Sequence, residues 1–456
     1  MRTFDVVVIG AGPAGEVAAG RLAERGLSVA IVEDRLVGGE CSYWACMPSK
    51  ALLRPYEALA EARRVPGAAE AITGGLAVQA VLDRRDEIIH ELDDAAQLPW
   101  LDDRGIALIR GFGVLTGERR MRVGGEDVEA ARAVILATGS IPSMPPIEGL
   151  DAIDDAWTNR EATTAKAIPE RLVIVGGGVV GVEMAQAFQT LGSHVTLIEG
   201  ERRLLPREEE YACAQVTEAL DSYGVDIRTG QKADRVSQDD DTVNVRTSDG
   251  REAEGDTLLV ALGRTPQTKG LGLETLGIDA DRAVEVDAQM RSAAAPWLYA
   301  IGDVNGKALF THMGKYQARI AADHILGTDT AVSHGADGPL SPRVIFTEPQ
   351  VAAVGHTTDT AADAGLSVDV VETSTSGNAG GSFYGRNAPG TARLLIDRDR
   401  RVVVGATITG AEAAEMLHPA TIAIVGEVPL ERLRHAVPCF PTRSEIWLTL
   451  LAEAGV

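Results

Sequence analysis

Residues 4–33 read FDVVVIG-AGPAG-EVAAGRLAERG-LSVAIVE: an apolar strand, a glycine turn, an amphipathic helix and a second strand ending in an acid. Gly10, Gly12 and Gly15 fit GxGxxG, and Glu33 follows Gly10 by 23 positions. Each part has a physical role, namely a tight turn, close backbone approach to a pyrophosphate, tight helix packing, and a carboxylate for ribose hydroxyls. GxGxxG alone is weak, because glycine turns between strand and helix have structural uses too. Strand, turn, helix, strand and acid in order make a dinucleotide-binding fold.

The pattern recurs at residues 171–199, RLVIVG-GGVVG-VEMAQAFQTLG-SHVTLIE, with Gly176, Gly178 and Gly181, and with Glu199 again 23 positions after the first glycine. Two dinucleotides are therefore expected. A carboxylate at the second strand end bonds the 2′-hydroxyl of NAD and repels the 2′-phosphate of NADP, so Glu199 favours NAD; Arg202 and Arg203 close behind soften that preference. Three further strand-and-glycine pieces, AVILATGS at 133–140, TLLVALGR at 257–264 and PWLYAIGDV at 296–304, read as later strands of the two folds. Residues 51–105 read mainly as helices, with ALLRPYEALAEARR and VLDRRDEIIHELDDAAQL spacing their apolar residues by three and four. Beyond about residue 340, RVIFTEPQVAAVG, TARLLID and RVVVGATITG read as strands separated by turns, followed by a helical run, which predicts a third, α+β unit.

At 456 residues the chain is too long for one ordinary core. Its net charge of -23 opposes non-specific binding to nucleic acid or to an anionic membrane, so any anionic ligand must be held by local backbone dipoles. MRTFDVVVIG lacks the features of a signal peptide, and no apolar run reaches membrane-span length, so a cytoplasmic protein is expected. Four cysteines are too few for a secreted disulfide scaffold. Two of them stand in GGECSYWACMPSK, residues 38–50, with four residues between Cys41 and Cys46. Taken locally, that pair is open to three readings: a redox-active disulfide, a metal site, or two buried thiols.

Two GxGxxG folds, CxxxxC followed by Pro-Ser-Lys, an ATG, a GD and a mixed C-terminal domain, in that order, resemble the pyridine nucleotide-disulfide oxidoreductase family. The resemblance covers essentially the whole chain. It implies an α/β architecture: an FAD-binding domain of residues 1–150 and 268–338, an NAD(P)-binding domain of 151–267, and a C-terminal α+β dimerisation domain of 339–456. It also implies a homodimer with FAD on the first fold and NAD(P)H on the second. Carried over residue by residue, Cys41 is the outer thiol that exchanges with substrate and Cys46 the inner thiol that faces the flavin. Cys46 precedes a helical run, where the positive end of the dipole favours a thiolate. Lys50 and Glu183 match the family's ion pair, and Asp303 matches the aspartate that bonds the FAD ribityl chain. Gly302, Thr138, Gly139 and Gly263 lie in the matching glycine pieces. No second Cys/His pair with ligand spacing exists, so no metal is expected. Cys213 reads as a helix-face residue.

The chain departs from the family at AVPCFPTRSE, residues 436–445. Aligned on Pro441, Thr442, Ser444 and Glu445, the acid–base His of HxHPTxSE is replaced by Phe440. Glu445, the orienting carboxylate, is left to Arg443 or His435, and Cys439 adjoins the vacant position. Tyr43 and Trp44, bulky rings between the cysteines, are open to three roles: channel floor, stacking surface or core. Gln317 and Ala318 replace the usual Glu-Gly, which reads as subfamily variation. The resulting expectation is an NADH-dependent FAD enzyme that passes electrons through Cys41–Cys46 to a small disulfide or related acceptor. The alternatives are a quinone or mercuric-type metal-ion reductase, and a dihydrolipoamide dehydrogenase-like subunit of a 2-oxoacid dehydrogenase complex.

Overall fold

The computed structural model describes residues 1–332 and 338–456, so the stretch 333–337, inside the segment expected to complete the first domain, lies outside the described residues. Two compact units are present. The first comprises Met1–Pro48, Asp86–Ser143 and Arg264–Pro339; the second comprises Ser49–Arg85, Met144–Gly263 and Leu340–Val456.

The first unit is built on a sheet in which Ala107–Arg110, Val29–Glu33, Arg2–Ile9 and Glu126–Leu136 lie side by side in parallel, with Leu298–Ala300 paired to the end of the last. Antiparallel strands Arg120–Val123 and Gly113–Gly117 extend the far edge. VVVI is unbroken because a parallel sheet is covered on both faces. Val6 and Val8 pack with Ala18 and Leu22 of the crossover helix, while Val7 and Ile9 pack into a second layer with Leu115, Leu136 and Leu298. Helix Pro13–Ala23 carries the crossover, and helix Thr311–Ile325 lies against it. Arg21 clamps the two, its Nε and Nη2 binding the Asp323 carboxylate at 2.6 and 2.9 Å.

The second unit repeats the plan. Parallel strands Asp226–Thr229, His194–Glu199, Arg171–Val175 and Thr257–Val260 form a sheet, with Leu172 and Ile174 in one core and Val173 and Val175 in another. Helix Val179–Thr190 is its crossover. The later part is a five-stranded antiparallel sheet, Arg343–Ile345, Gln350–Gly355, Val402–Gly410, Thr391–Asp397 and Val368–Ser374 in spatial order. Met416, Ala420, Ile446, Trp447 and Leu450 from the C-terminal helices bury the face that holds Ile408 and Leu394. The α/β reading of both repeats and the α+β reading of the C-terminal part are thus borne out.

One helical expectation fails. The run 81–98 is helical only to Ile88, because His90, Glu91 and Leu92 take φ of 50°, 52° and 64°, and two short 3-10 turns follow. Left-handed backbone at three successive residues ends any α-helix, and apolar spacing does not register it.

Candidate active site

Both glycine turns are built alike. Gly10 takes φ of 105°, and a Cβ there would sit 2.3 Å from the Ala137 carbonyl oxygen; at Gly176, φ is 113° and the Ala261 oxygen would lie at 2.4 Å. Those first glycines are required by the fold itself. The second glycines are different. A Cβ on Gly12 would meet nothing nearer than Gly39 Cα at 4.0 Å, and one on Gly178 would meet nothing within 4 Å. Each faces open space at the N-terminus of a long helix, the cradle into which a pyrophosphate fits. Gly15 and Gly181 pack tightly on the carbonyl oxygens of Gly10 and Gly176.

The strand-end acids also act in parallel. Glu33 accepts hydrogen bonds from the backbone N–H of Ala11 and of Arg35, both at 2.8 Å. Glu199 accepts from Gly177 N–H at 2.5 Å and from Glu201 N–H at 2.7 Å. Each carboxylate thereby holds its glycine turn in shape. Burial raises the proton affinity of Glu33, and the two backbone bonds oppose that shift. Asp303 is buried enough to be raised as well; its Oδ2 accepts from Ser140 Oγ at 2.6 Å, and Arg264 Nε donates to that Oγ at 2.7 Å. Thr138 Oγ1 donates to the Gln267 carbonyl at 2.7 Å, linking the ATG turn to the chain after Gly263. Gln317 is fully buried, and its Oε1 accepts from Gly302 N–H at 2.7 Å and from Asn305 Nδ2 at 2.8 Å. It therefore braces the turn that carries Asp303, a role that substitution at a Glu-Gly position did not reveal.

Cys41 lies in the short helix Gly39–Tyr43, and Cys46 opens the helix Cys46–Arg64, which also carries Lys50. Both cysteines are half-buried free thiols. The neighbouring Cys46 raises the proton affinity of Cys41, burial adds to it, and Thr311 and Lys315 pull the other way. Thr311 Oγ1 stands 3.4 Å from Cys46 Sγ. Tyr43 is core: it is 1% exposed and donates its hydroxyl to the Val37 carbonyl at 3.0 Å. Trp44 is half-buried, its ring 5.7 Å from that of Tyr43. Glu16, in the first turn of Pro13–Ala23, has its carboxyl pushed up to about 7 by burial, with the charge of Lys315 opposing.

In the second unit, Lys50 Nζ and Glu183 Oε2 form an ion pair at 2.8 Å. The other Glu183 oxygen accepts from Phe346 N–H at 2.9 Å, and the Phe346 ring lies 4.7 Å from the Lys50 ammonium. Glu183 is buried while Lys50 keeps a third of its side-chain surface. Phe440, by contrast, is 76% exposed, and Cys439 and His435 are exposed beside it. Glu445 accepts from Thr442 N–H at 3.3 Å as a helix cap, and Arg443 turns inward, its guanidinium 4.7 Å over the Tyr384 ring. Cys213 is buried, donates to the Leu205 carbonyl at 3.2 Å, and is pushed by burial to about 11, as befits a packing residue. Among the described residues, no group of three or more His, Cys, Asp or Glu side chains is arranged to hold a metal ion. No described helix is long and apolar enough to cross a membrane.

The family profile described as pyridine nucleotide-disulphide oxidoreductase matches residues 4–327, and the dimerisation domain of the same family matches residues 341–451. A dihydrolipoyl dehydrogenase of Thermus scotoductus is 33% identical over 453 residues, which cover 98% of this chain and 96% of that one. The dihydrolipoyl dehydrogenase of Bacillus subtilis is 30% identical, with 99% of each chain covered. Among solved structures, the Cu(II) complex of the HOCl-induced flavoprotein disulfide reductase RclA from Escherichia coli superposes with a TM-score of 0.87 at 26% identity, covering 99% of this chain and 100% of that one. LpdA from Mycobacterium tuberculosis gives 0.87 at 25% identity, with 100% of both chains covered.

Proposed function

The chain belongs to the pyridine nucleotide-disulphide oxidoreductase family, and on that premise we propose that its acceptor is a small disulfide, reduced at Cys41 with electrons drawn from NADH. It is an oxidoreductase that uses FAD and NAD(P)H and acts on sulfur. FAD, when bound, supplies the two-electron chemistry that joins nicotinamide to sulfur. The open cradles at Gly12 and Gly178 have room for the two pyrophosphates. We assign FAD to the first repeat, with Glu33, Thr138, Gly139, Gly302 and Asp303 around it. NADH falls to the second repeat, with Glu199 and Gly263. Residues 339–456 form the dimerisation domain, and the working protein is a homodimer.

The observation that carries the reading is the pair of half-buried free thiols Cys41 and Cys46, with Cys46 at the start of a 19-residue helix. A helix N-terminus favours a thiolate. Lys50 and Glu183, paired at 2.8 Å, match the family's ion pair. The direction is reduction. A thiolate attacks a disulfide without help from a base, whereas dihydrolipoamide oxidation needs a proton acceptor that Phe440 does not provide. Substitution of Cys41 by Ser tests this: disulfide reduction must be lost, while a quinone reduced elsewhere on the enzyme would survive.

A second reading, reduction of a metal ion, draws support from one observation. The RclA structure of the same fold is a Cu(II) complex, and here Cys439 offers an exposed thiol beside the usual base position. NADH-dependent reduction of Cu(II) that disappears on Cys439→Ser, with disulfide reduction intact, would favour it.

A further inference from the structure

Cys41 and Cys46 are held in different ways. Cys46 opens a 19-residue helix, whereas Cys41 lies in the five-residue helix Gly39–Tyr43, too short to be stable on its backbone bonds alone. Two glycines lead into that short helix, with φ of 112° at Gly38 and 60° at Gly39, so the chain enters it through its most permissive residues. Side chains must fix its position. Tyr43 ties it to the Val37 carbonyl at 3.0 Å, but Val37 belongs to the same stretch of loop. Glu40, the residue before Cys41, reaches further: its Oε2 stands 3.5 Å from Arg264 Nη2, with 23% and 21% of the two side chains exposed. Arg264 is itself fixed. Its Nε donates to Ser140 Oγ and its Nη2 to the Ser140 carbonyl, both at 2.7 Å, and Arg264–Pro266 pairs with Ser140–Pro142 as a two-stranded ribbon. Ser140 Oγ in turn donates to Asp303 Oδ2 at 2.6 Å. A line of contacts thus runs from the residue beside Cys41 through Arg264 and Ser140 to Asp303, all of it within the first unit.

We propose that Glu40 is a positioning residue that registers Cys41 on the carboxylate of Asp303, with Arg264 as the joint between them. The inference deepens the reading above and rests on it, both for FAD at Asp303 and for the Cys41–Cys46 disulfide. Arg264 suits the joint because its planar fork sends donors along more than one line. One guanidinium therefore grips Ser140 twice and still faces Glu40. At 3.5 Å the Glu40 contact acts through charge more than through a directed hydrogen bond. A partly exposed ion pair of this kind shifts an equilibrium by up to about fivefold. Its effect falls on the thiol pair. Cys41 kept in register meets Cys46 more often, so loss of the Glu40 charge makes their disulfide easier to reduce. The hold on Asp303 is left intact, because Arg264 keeps Ser140 whether or not Glu40 is charged.

The test equilibrates the full-length chain, FAD-loaded and flavin-free, with reduced and oxidised dithiothreitol. Dithiothreitol gives two electrons and two protons to the Cys41–Cys46 disulfide as it closes its own ring. Alkylation and mass spectrometry read the fraction reduced, and flavin fluorescence titration reads FAD affinity. Glu40→Gln is expected to shift the equilibrium about fivefold toward the dithiol and to leave FAD affinity within about twofold of wild type. Arg264→Met should shift the equilibrium equally and also weaken FAD binding about tenfold, the scale of one charge-assisted hydrogen bond. The double variant should match Arg264→Met, because Glu40 then has nothing to act through. Arg264→Lys keeps the cation but not the double grip on Ser140, so it should restore the equilibrium while FAD binding stays weak. A wild-type equilibrium in Glu40→Gln, or a full Glu40→Gln effect on top of Arg264→Met, would overturn the inference; if Arg264→Met does not fold, Glu40→Gln alone decides it. If no disulfide forms between Cys41 and Cys46 in the wild type, it is the underlying reading that fails, while FAD affinity in the Arg264 variants still judges the link from Arg264 through Ser140 to Asp303.

Discussion

Removal of Lys50 costs more than removal of Glu183, although the two are partners. Glu183 is the buried member, with 4% of its side chain exposed against 34% for Lys50. Substitution of Lys50 by Met leaves a carboxylate out of water with, among the described residues, only the Phe346 N–H at 2.9 Å to satisfy it. Stranding a buried charge costs about 3–5 kcal/mol, and the open side of this pair places the expected loss near the lower end, about 3 kcal/mol. Glu183→Gln keeps the shape and an amide oxygen for Phe346. The stranded ammonium keeps solvent, the Phe346 ring at 4.7 Å and Ser49 Oγ at 3.2 Å. Its expected cost is that of one charge-assisted hydrogen bond, about 1.5–2 kcal/mol. In the double variant the losses are not additive, because nothing charged remains buried; it should be more stable than Lys50→Met alone. Thermal unfolding of the three variants reads this directly, at roughly 2–4 °C per kcal/mol for a unit of this size. If Glu183→Gln proves the more damaging, or the double variant equals the sum of the singles, the pair is not held as described.

Three further outcomes follow from the same geometry. Gly12→Ala should leave the melting temperature of the flavin-free chain within about 1 °C, since its Cβ meets nothing closer than 4.0 Å, yet it should weaken FAD binding at least tenfold in fluorescence titration; a flavin affinity like wild type would remove the cradle from Gly12. The Glu16 carboxyl, raised by burial to about 7 in the folded state, costs stability as pH climbs from its unfolded value near 4.5 and gives a plateau above 7. Glu16→Gln should therefore stabilise the protein by about 1–3 kcal/mol at pH 8 and by almost nothing at pH 4, measured by urea unfolding. Phe440→His should raise dihydrolipoamide oxidation by ~100-fold or more, and no gain in a steady-state assay would mean that another residue already serves as base or that the pocket excludes lipoamide.

The sequence disclosed what depends on local pattern. Both glycine turns, the strands between them and the cysteine pair were readable because each is a run with fixed spacing. Lys50 and Glu183 lie 133 positions apart, so family resemblance alone could join them, and the 2.8 Å contact agrees. Thr311, Ser140, Phe346 and Gln317 stayed hidden for a physical reason: each acts through a partner more than ten positions away, and an isolated hydroxyl, ring or amide carries no signal of its own. Tyr43 looked like a candidate for the channel, yet its hydroxyl finds the Val37 carbonyl and the ring fills core. Glu445 has a local partner in Thr442, a helix cap three residues back that HxHPTxSE alignment passes over.

The central claim is that reducing equivalents from NADH come to rest on Cys41 and Cys46. Anaerobic titration of the FAD-loaded chain with NADH, followed by alkylation and mass spectrometry, tests it most directly. The account predicts that Cys41 and Cys46 are blocked to alkylation before NADH and both labelled after it, with a long-wavelength thiolate-to-flavin absorption band at the midpoint. Complete reduction at two electrons per flavin, with no band and no change in the labelling of either cysteine, would contradict it.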